Sequence, residues 1–441
     1  MLNADENLKR YLSDNRLLDD LSEAAERMGI TCWLVGGALR DVVLGRPVTD
    51  VDLAATSDPT PLAREWARQQ QAHWFWLDKQ RRQSRVLLRY GKLECYFDFA
   101  PLRAATLDED LALRDFTINA LALPLIAPLS EQRLLDPLQG RKDLRDLRLR
   151  HCSDRSLSDD PLRILKGIRH CVTLGLQPAT ATAARMRELS GLLASSAAER
   201  KRNELGRIFA GGNLGAGLTL LEHCRLLPVL FGPPAGSFAL PRVIAELSAF
   251  AAVLERWADR EPLADLLEDS YDETINRRTL YLLALFLRHY RRDEPGIVLT
   301  EQLRFSRRAA TVIEKLANLD FSRLARVATL PDRTRAKCVW LESLGPVAVD
   351  QLLFFAGVAR PDYLSDAKLL QLLNVYSSAQ IHERIPDLLS GRDIKRLLPA
   401  IEDRQIGSYQ KRIKEAEITG EITSRKEAGK LLLAENSIDK N

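Results

Sequence analysis

The pattern of apolar residues changes once along this chain, and that change limits the folds open to it. Between Thr31 and about Leu125, short segments with strand character are mixed with helical stretches and a pair of glycines. After Asp136, long helical patterns dominate to the end of the 441 residues, and the alternation typical of strands disappears. We therefore expect a small α/β head, with a mixed sheet and helices, followed by a long all-α body and tail.

Four segments of the head have the composition of β-strands. Cys32–Val35 and Val51–Ala55 are short apolar strands. Ser84–Arg89 and Leu93–Phe99 are typical of a β-hairpin, with its turn at Tyr90-Gly91. A small sheet built from these segments is the expected framework of the head.

Other segments have helical patterns. Residues 1–30 predict one charged amphipathic helix, Ala38–Leu44 predicts a helix after the glycine pair, and Phe116–Leu123 predicts an apolar helix. Gly232–Gly236 has the sequence Gly-Pro-Pro-Ala-Gly, which is the clearest linker signal in the chain. We expect a boundary between structural units there.

Composition excludes several classes of protein. Hydrophobic residues make up 46% of the chain and charged residues 28%, which is typical of a folded globular protein. The longest apolar run without proline, Leu280–Leu287, is far shorter than the roughly 20 residues that a membrane helix needs. Met1–Arg10 is polar and lacks the apolar centre of a secretory signal. We expect a cytoplasmic protein with no membrane partner.

The chemistry begins with a glycine pair and a pair of carboxylates. Gly36 and Gly37 follow the first strand, where a turn without side chains can approach a phosphate, and Arg40 could bind a triphosphate oxygen. Asp50 and Asp52 stand two residues apart, so a strand would present both on one face. Paired carboxylates suit Mg²⁺, because this ion prefers oxygen ligands and retains water molecules for exchange with substrate phosphates.

A third carboxylate would complete a site for in-line displacement at phosphorus. Asp98 is the candidate, because it lies in an apolar strand near the aspartate pair. Glu94 would share its face of that strand and is the less favoured alternative. A pair of aspartates or a pair of glycines is weak evidence alone, but the two in this order within seventeen residues are much more specific.

Five segments in order resemble the class II tRNA nucleotidyltransferases and bacterial poly(A) polymerases. The first, Leu34–Gly45 followed by Asp50-Val51-Asp52, resembles the head motif of that family. The other four extend the resemblance to about residue 210, and they are Leu113–Ala120 (LRDFTINA), Asp136–Leu144 (DPLQGRKDL), Asp159–Arg169 (DDPLRILKGIR) and Glu199–Leu205 (ERKRNEL). The resemblance implies that the head is an α/β nucleotidyltransferase head.

The resemblance also implies roles for residues after the head motif. Arg114 and Asp115 would bind the ribose 2′-hydroxyl, although alone they would be a helix-capping ion pair. Asp160 and Arg163 would read the base edge, since one acceptor and one fork-shaped donor can match cytosine or adenine. We expect these two on one face of a helix, where alone they would be a surface ion pair. Further nucleotide contacts would come from two residues of the same helix, Lys166 and Arg169.

Three positions depart from the family pattern. Leu113 replaces the first arginine of the family's RRDFT segment, Asp159 replaces a glutamate, and Lys166 replaces an arginine and lacks its fork geometry. In the second half, Leu280–Lys315 resembles an HD-type helical module without its His-Asp metal pair, so we expect no phosphohydrolase activity. Leu388–Ala428 resembles the tail of tRNA nucleotidyltransferases, which favours a tRNA substrate.

These patterns predict four parts in the chain. They are a nucleotidyltransferase head (1–135), a neck with base-reading helices (136–231), a helical body with a degenerate HD-like module (232–385) and a helical tRNA-binding tail (386–441). Basic residues are dense at 277–337 and 392–430, and such residues suit an RNA backbone, although they are more often solvated helix faces.

The resemblance implies a function and leaves alternatives open. The leading hypothesis is transfer of C and/or A from CTP and ATP to the 3′ end of tRNA, with Mg²⁺ and without a nucleic-acid template. A poly(A) polymerase is the alternative within the family, and a non-catalytic RNA-binding protein is the alternative outside it. The family's CCA-adding members have a flexible loop before the RRDFT segment, and here that interval spans only 103–114. This short interval predicts a CC-adding enzyme whose separate partner adds the final A, unless residues 69–85 replace the loop.

Overall fold

The computed structural model describes residues 4–90, 93–291, 295–358, 363–377 and 387–438. They form two compact units, Met1–Pro233 and Pro234–Asn441. The division falls inside the Gly-Pro-Pro-Ala-Gly segment. The finer division into head, neck, body and tail stays a prediction.

One mixed six-stranded sheet forms the centre of the head. Its strands, in chain order, are β1 (Cys32–Val35), β2 (Asp50–Ala55), β3 (His73–Asp78), β4 (Gln83–Tyr90), β5 (Leu93–Pro101) and β6 (Ala122–Pro124). Their order across the sheet is β3-β4-β5-β2-β1-β6. Only the β2–β5 contact is parallel among these pairs, and the other neighbours are antiparallel. The predicted hairpin is present as β4 and β5, and Gly91 of its predicted turn lies outside the described residues.

The two faces of this sheet are covered differently. Side chains such as Leu53, Phe97 and Phe99 point to one face, where they pack in a large apolar core with the fully buried Trp66. The other face has a smaller core around Val35 at the β1–β6 end of the sheet. Toward β3, that second face carries the polar residues described below.

Twelve helices and one short strand pair complete the first unit in the described residues. The helices are α1 (Ala4–Ser13), α2 (Arg16–Arg27), α3 (Gly37–Val43), α4 (Thr60–Gln69), α5 (Leu107–Ala112), α6 (Gly140–Arg145), α7 (Ser156–Asp159), α8 (Leu162–Leu174), α9 (Thr180–Glu188), α10 (Ala198–Phe209), α11 (Leu214–His223) and α12 (Leu227–Phe231). The strands β7 (Arg148–Leu149) and β8 (Gln177–Pro178) are parallel, and 3₁₀ turns lie at Thr117–Asn119, Glu131–Arg133 and Ser190–Ser195.

Two of the helices predicted for the first unit were wrong. Residues 1–30 contain two helices, α1 and α2, because the chain leaves the helical conformation at Asn15. The Phe116–Leu123 run is not a helix: it contains a 3₁₀ turn and then enters β6, which pairs with β1. A short apolar run fits a buried strand as well as a buried helix, and here pairing with the sheet decides between them.

The second unit is mainly helical, with one small hairpin, β9 (Ser270–Asp272) and β10 (Ile275–Asn276), that the sequence did not predict. Its described helices are α13 (Leu240–Ala258), α14 (Leu263–Glu268), α15 (Arg277–Tyr290), α16 (Pro295–Ile297), α17 (Arg307–Ala317), α18 (Phe321–Ala325), α19 (Thr334–Leu344), α20 (Ala348–Val358), α21 (Asp366–Ser377), α22 (Gly391–Leu397), α23 (Asp403–Thr419) and α24 (Arg425–Ile438). A π turn lies at Val298–Gln302, and 3₁₀ turns lie at Arg326–Thr329 and Gly345–Val347.

One stretch of the second unit, Thr334–Val358, is long and apolar enough to cross a membrane by length and composition alone. It consists of α19 and α20, which are separated by the 3₁₀ turn at Gly345–Val347. Within its most apolar window 72% is buried in the protein, as in the core helices of globular proteins. The stretch is a core element of its unit.

Candidate active site

The aspartate pair lies on one face of β2. Asp50 and Asp52 are exposed, whereas Val51 and Leu53 between and after them are buried in the larger apolar core. This alternation is what a strand with one covered face produces. The predicted geometry of the two carboxylates is therefore present.

The third predicted carboxylate lies beside them. Asp98 on β5 is the register partner of Asp52 on β2, so both side chains project from the same face of the sheet. Arg85 on β4 binds Asp98 with two bonds, Nε–Oδ1 at 2.6 Å and Nη2–Oδ2 at 2.8 Å. The alternative, Glu94, lies beyond the register of the aspartate pair and bonds Arg89 and the Tyr96 hydroxyl. Asp98 is thus the better placed of the two.

The surroundings of Asp52 favour a bound cation. Although Asp52 is exposed, desolvation by the surrounding protein raises the pKa of its carboxyl group. The negative charges of Asp98 and Asp50 raise this pKa further, whereas the positive charges of Arg114 and Lys166 lower it. Crowded carboxylates of this kind are stabilised by a divalent cation. No three His, Cys, Asp or Glu side chains converge as an enclosed metal cluster in the described ranges. A hard cation that keeps water and substrate phosphates as ligands does not need such a cluster, so the donor set fits it.

Gly36 lies where the glycine pair meets the carboxylates. Its φ of +85° is in the region that favours glycine. A Cβ at this position would lie 3.0 Å from both the Asp52 Oδ2 and the Arg114 Nη1 atoms. Gly37 begins α3 and lies next to the Arg40 guanidinium. The glycine pair therefore allows Arg114 and Asp52 to come close to the backbone turn.

Arg40 lies beneath this turn and is only 9% exposed. Its Nη1 donates to the Asn119 Oδ1 at 2.6 Å, and its Nε and Nη2 donate to the Asp41 carboxylate at 3.1 and 2.7 Å. These contacts hold α3 against the 3₁₀ turn at Thr117–Asn119. The structure thus gives Arg40 a supporting position, and a contact with a triphosphate stays a prediction.

Arg114 and Asp115, the predicted ribose pair, have different partners and do not form an ion pair with each other. The Arg114 Nη2 donates to Asp110 Oδ2 at 3.3 Å. Asp115 is buried and lies 2.6 Å from the Lys166 Nζ, and its Oδ1 accepts bonds from the Phe116 N–H and the Asn119 amide. Burial opposes its ionisation, but the Lys166 charge and these bonds outweigh burial and hold the pKa of Asp115 well below its usual range. Asp115 is therefore a fixed anion.

Asp160 and Arg163 come together, but not on a helix face as predicted. Asp160 has extended backbone geometry before α8, and its Oδ1 accepts a bond from the Leu162 N–H at 3.2 Å. Asp160 is the C-cap of the preceding α7 and lies outside α8, whose N-cap is Pro161, because a residue before proline disfavours helical geometry. Arg163 in the first turn of α8 donates through Nη1 to the Leu113 and Ser156 carbonyls at 3.0 and 2.9 Å. Both residues line the same cavity.

The remaining predicted residues of α8 have acidic partners. Lys166 binds Asp115, and the Arg169 Nε donates to the Glu204 Oε2 of α10 at 2.7 Å. Another α10 residue, Arg200, binds the Asp160 Oδ2 at 3.1 Å. These bonds link α8 and α10 around the cavity.

This cavity has a volume of about 570 Å³, within the range of small-ligand sites. Seven basic and three acidic side chains line it, together with Leu162 and Asn203, and they are Arg103, Arg114, Arg163, Lys166, Arg169, Arg200, Arg207, Asp115, Asp160 and Glu204. The excess of cations suits a triphosphate, and the mixture of donors and acceptors suits a nucleotide base.

Two family models match the chain. The Poly A polymerase head domain matches residues 32–150, and a model described as a probable RNA and SrmB-binding site of polymerase A matches residues 175–237. A CC-adding tRNA nucleotidyltransferase from Geobacter sulfurreducens is 31% identical over 435 residues, which cover 95% of this chain and 97% of that enzyme. This chain belongs to the tRNA nucleotidyltransferase and poly(A) polymerase family.

Other members of the family resemble parts of the chain or its fold. A multifunctional CCA protein from Pseudomonas fluorescens is 33% identical over 53% of this chain and 60% of its own length. The structure of a Thermotoga maritima CCA-adding enzyme with tRNA has a TM-score of 0.65 at 21% identity, and covers 95% of each chain. A CCA-adding enzyme bound to ATP has a TM-score of 0.69 at 19% identity, again over 95% of each chain. These structures show that the chain has the family's fold.

Sequence reasoning missed two buried residues that support the site in this family member. Asp110 is 1% exposed and binds both Arg103 and Arg114. Asn119 is 5% exposed, and its amide joins Arg40 to Asp115. Both lie in or next to the LRDFTINA segment, but only the folded structure shows which side chains they hold.

Proposed function

We propose that this member of the family extends the 3′ end of tRNA from nucleoside triphosphates, and that it adds two C residues without the final A. The observation that carries the proposal is the position of Arg114, which adjoins the Asp52 carboxylate at Gly36 and also lines the basic cavity. A nucleotide in that cavity would have its phosphates next to the aspartates. This arrangement supports phosphoryl transfer to a hydroxyl.

Asp50 and Asp52 would hold Mg²⁺, with Asp98 as the third carboxylate. When bound, the ion lowers the pKa of the attacking 3′-hydroxyl and neutralises charge at the α-phosphate. Arg114 and the fixed Asp115 anion bind the ribose, which favours a ribonucleotide. The glycine pair gives the phosphates access to the turn, and the cavity's cations bind the leaving pyrophosphate.

Asp160 and Arg163 read the base edge. Only Nη1 of Arg163 has hydrogen bonds among the described residues, which leaves Nε and Nη2 for the acceptors of a base. Asp160 supplies the acceptor. Lys166 and Arg169 line the cavity beside this pair and bind the carboxylates of Asp115 and Glu204. Because backbone carbonyls and Arg200 hold the pair, its geometry is set before a nucleotide binds.

The limit of two C residues rests on the interval before Arg114. Residues 107–112 form α5, which begins with a capping box at Thr106 and is held to Arg103 by the buried Asp110. Little of the interval is left for a loop that could change the base-reading pair from cytosine to adenine. The similarity over 97% of a CC-adding enzyme supports the same limit. A separate A-adding enzyme would then complete the tRNA.

Two alternatives predict different products. A poly(A) polymerase would add many A residues to RNA, and a non-catalytic RNA-binding protein would add nothing. The test is incorporation of labelled CTP and of labelled ATP, separately, into tRNA that lacks CCA. We expect incorporation of C that Asp52→Ala abolishes. Long A products would support the polymerase, and no incorporation with tight tRNA binding would support the binding protein.

The tRNA substrate also supports a location in the cytoplasm. The basic stretches at 277–337 and 392–430 would contact the tRNA backbone. We expect tRNA affinity to fall steeply with salt for this reason.

A further inference from the structure

One line of side chains crosses four strands of the head. The register pairs Phe75 with Arg85, Arg85 with Asp98, and Asp98 with Asp52. Register partners project from the same face of a sheet, so all four belong to one row. The row leads from the candidate catalytic carboxylates to the edge strand β3, about three strand spacings or roughly 14 Å from Asp52.

The β3 end of this row is apolar and uncovered. Phe75 is 41% exposed and Leu77, two residues further on β3, is 46% exposed. Their neighbours in sequence, Trp74 and Trp76, point to the other face and pack edge to face, with the Arg64 guanidinium over the Trp74 ring. Trp74 packs against the large apolar core, whereas Phe75 is not part of that core.

The rest of the surface suits RNA. Arg85, which also binds Asp98, lies over the Tyr96 ring, with 4.9 Å between its Cζ and the ring centroid. Arg89, which binds Glu94, is exposed further along β4. Unpaired RNA bases stack on aromatic rings and guanidinium planes, and arginines attract the phosphates. The surface formed by Phe75, Leu77, Arg85 and Arg89 is called the β3–β4 surface below.

The in-line geometry of the reaction indicates which part of the substrate binds to the β3–β4 surface. In an in-line displacement, the attacking hydroxyl and the leaving pyrophosphate lie on opposite sides of the phosphorus atom. Gly36 follows β1 and so lies on the β1 side of Asp52, and Arg114, which lines the nucleotide cavity, approaches this turn. The attacking strand must then come from the β5 side, across β4 and β3.

We propose that the β3–β4 surface binds the unpaired 3′ end of the tRNA, with one base stacked on the Phe75 ring. This inference rests on the proposed function, because it names the path of the substrate whose 3′-hydroxyl attacks. When the surface binds the strand, its terminal 3′-hydroxyl lies next to Asp52 and Asp98.

The test compares Phe75→Ala with Phe75→Trp in the full chain. Because the variant loses a base–aromatic stack, we expect Phe75→Ala to raise the KM for tRNA about tenfold. The KM for CTP should stay the same, and Phe75→Trp should restore the KM for tRNA. Leu77→Ala should have a smaller effect in the same direction. The matched control is Leu192→Ala, which removes another side chain that is 46% exposed in the same unit.

A binding measurement separates this inference from the proposed function. A tRNA with 2-aminopurine near its 3′ end should lose fluorescence on binding the wild-type chain, and much less on binding Phe75→Ala. This result does not require any nucleotide transfer. Absence of transfer by the wild-type chain would refute the proposed function alone. Equal quenching and an equal KM for tRNA in wild type and folded Phe75→Ala would overturn the β3–β4 surface.

The edge strand offers one other occupant. If Phe75→Ala changes the sedimentation of the free protein and leaves tRNA quenching intact, the surface joins two copies of the chain. That outcome would also overturn the proposal.

Discussion

Asp52 on β2 and Asp98 on β5 are register partners and lie side by side on one face of the sheet. Their strands are the one parallel pair in the described head sheet. Two carboxylates in this position repel each other, and the pKa of Asp52 is raised by desolvation from the surrounding protein and further by the Asp98 charge. A divalent cation would remove this repulsion.

The first prediction follows from this pair. Asp52→Ala should lower the rate of nucleotide transfer at least about a hundredfold, because the cation and its charge stabilisation are lost. Affinity for tRNA should change little. Single-turnover transfer and tRNA binding would be measured side by side, with Asp14→Ala as a control at an exposed aspartate of the same unit. Transfer at nearly the original rate would refute the metal assignment.

Much of the sheet face that carries Asp50, Asp52 and Asp98 could be predicted from the sequence. The two aspartates of β2 alternate with buried residues, and a strand of that kind can present them in only one way. Asp98 could be named because its strand is clearly apolar. The β3 strand could not be predicted, because its sequence HWFWLD has bulky residues on both faces and lacks the alternation that identifies a half-buried strand.

The arrangement of the proposed base-reading pair could be predicted only in part. The resemblance to the family proposed Asp160 and Arg163 as the pair, and their spacing suggested one helix face. The structure instead has Asp160 between α7 and α8, in extended geometry before Pro161, where its side chain bonds the Leu162 N–H and Arg200. Asp110 and Asn119 were missed for a similar reason, since their importance comes from contacts formed only in the folded head.

The second prediction concerns Arg163. Arg163→Ala should reduce the preference for CTP over the other nucleoside triphosphates, because the base loses a fork-shaped donor. Arg163→Lys should recover little of the preference, since lysine lacks the fork. Single-turnover rates with all four nucleotides provide the measurement. The control is Arg155→Ala, because Arg155 is the exposed N-cap residue of α7. If Arg163→Ala keeps the wild-type selectivity among the four nucleotides, the base-reading role is excluded.

The third prediction concerns Asp110, which holds Arg114. Burial raises the pKa of Asp110, but bonds and charges from Arg103 and the charge of Arg114 outweigh it, so the pKa lies below its usual value. The ionised group therefore stabilises the fold at neutral pH, and this contribution is lost as pH falls below about 3.9 and through the lowered pKa.

Asp110→Asn should accordingly lower the midpoint temperature of thermal unfolding at pH 7. The difference in midpoint between the variant and wild type should become smaller in acid. It should also weaken discrimination between CTP and dCTP, because Arg114 is no longer held. Asp108→Asn is the control at an exposed position of the same helix. A difference from wild type that is constant from pH 7 to pH 3 would contradict the ionic role.

The fourth prediction concerns a buried network in the second unit. Asp350 Oδ1 accepts bonds from the Tyr271 and Tyr281 hydroxyls at 2.9 and 3.0 Å, and from the Arg277 Nε at 3.0 Å. Asp350→Ala would leave the Arg277 charge buried without this partner, at a cost of about 3–5 kcal/mol. Denaturant unfolding should show a large decrease in the free energy of unfolding for Asp350→Ala and a small one for Asp265→Ala, at an exposed position. Equal losses would show that the network does not stabilise the unit.

The most direct test of the central claim is the length of the product. A tRNA that ends before CCA would be incubated with the wild-type chain and both CTP and ATP, and the products would be resolved at single-nucleotide resolution. We predict a product extended by two C residues that does not grow further, although ATP is present. Addition of a separate A-adding enzyme should then extend it by one A. A product extended by C, C and A with this chain alone would contradict the claim.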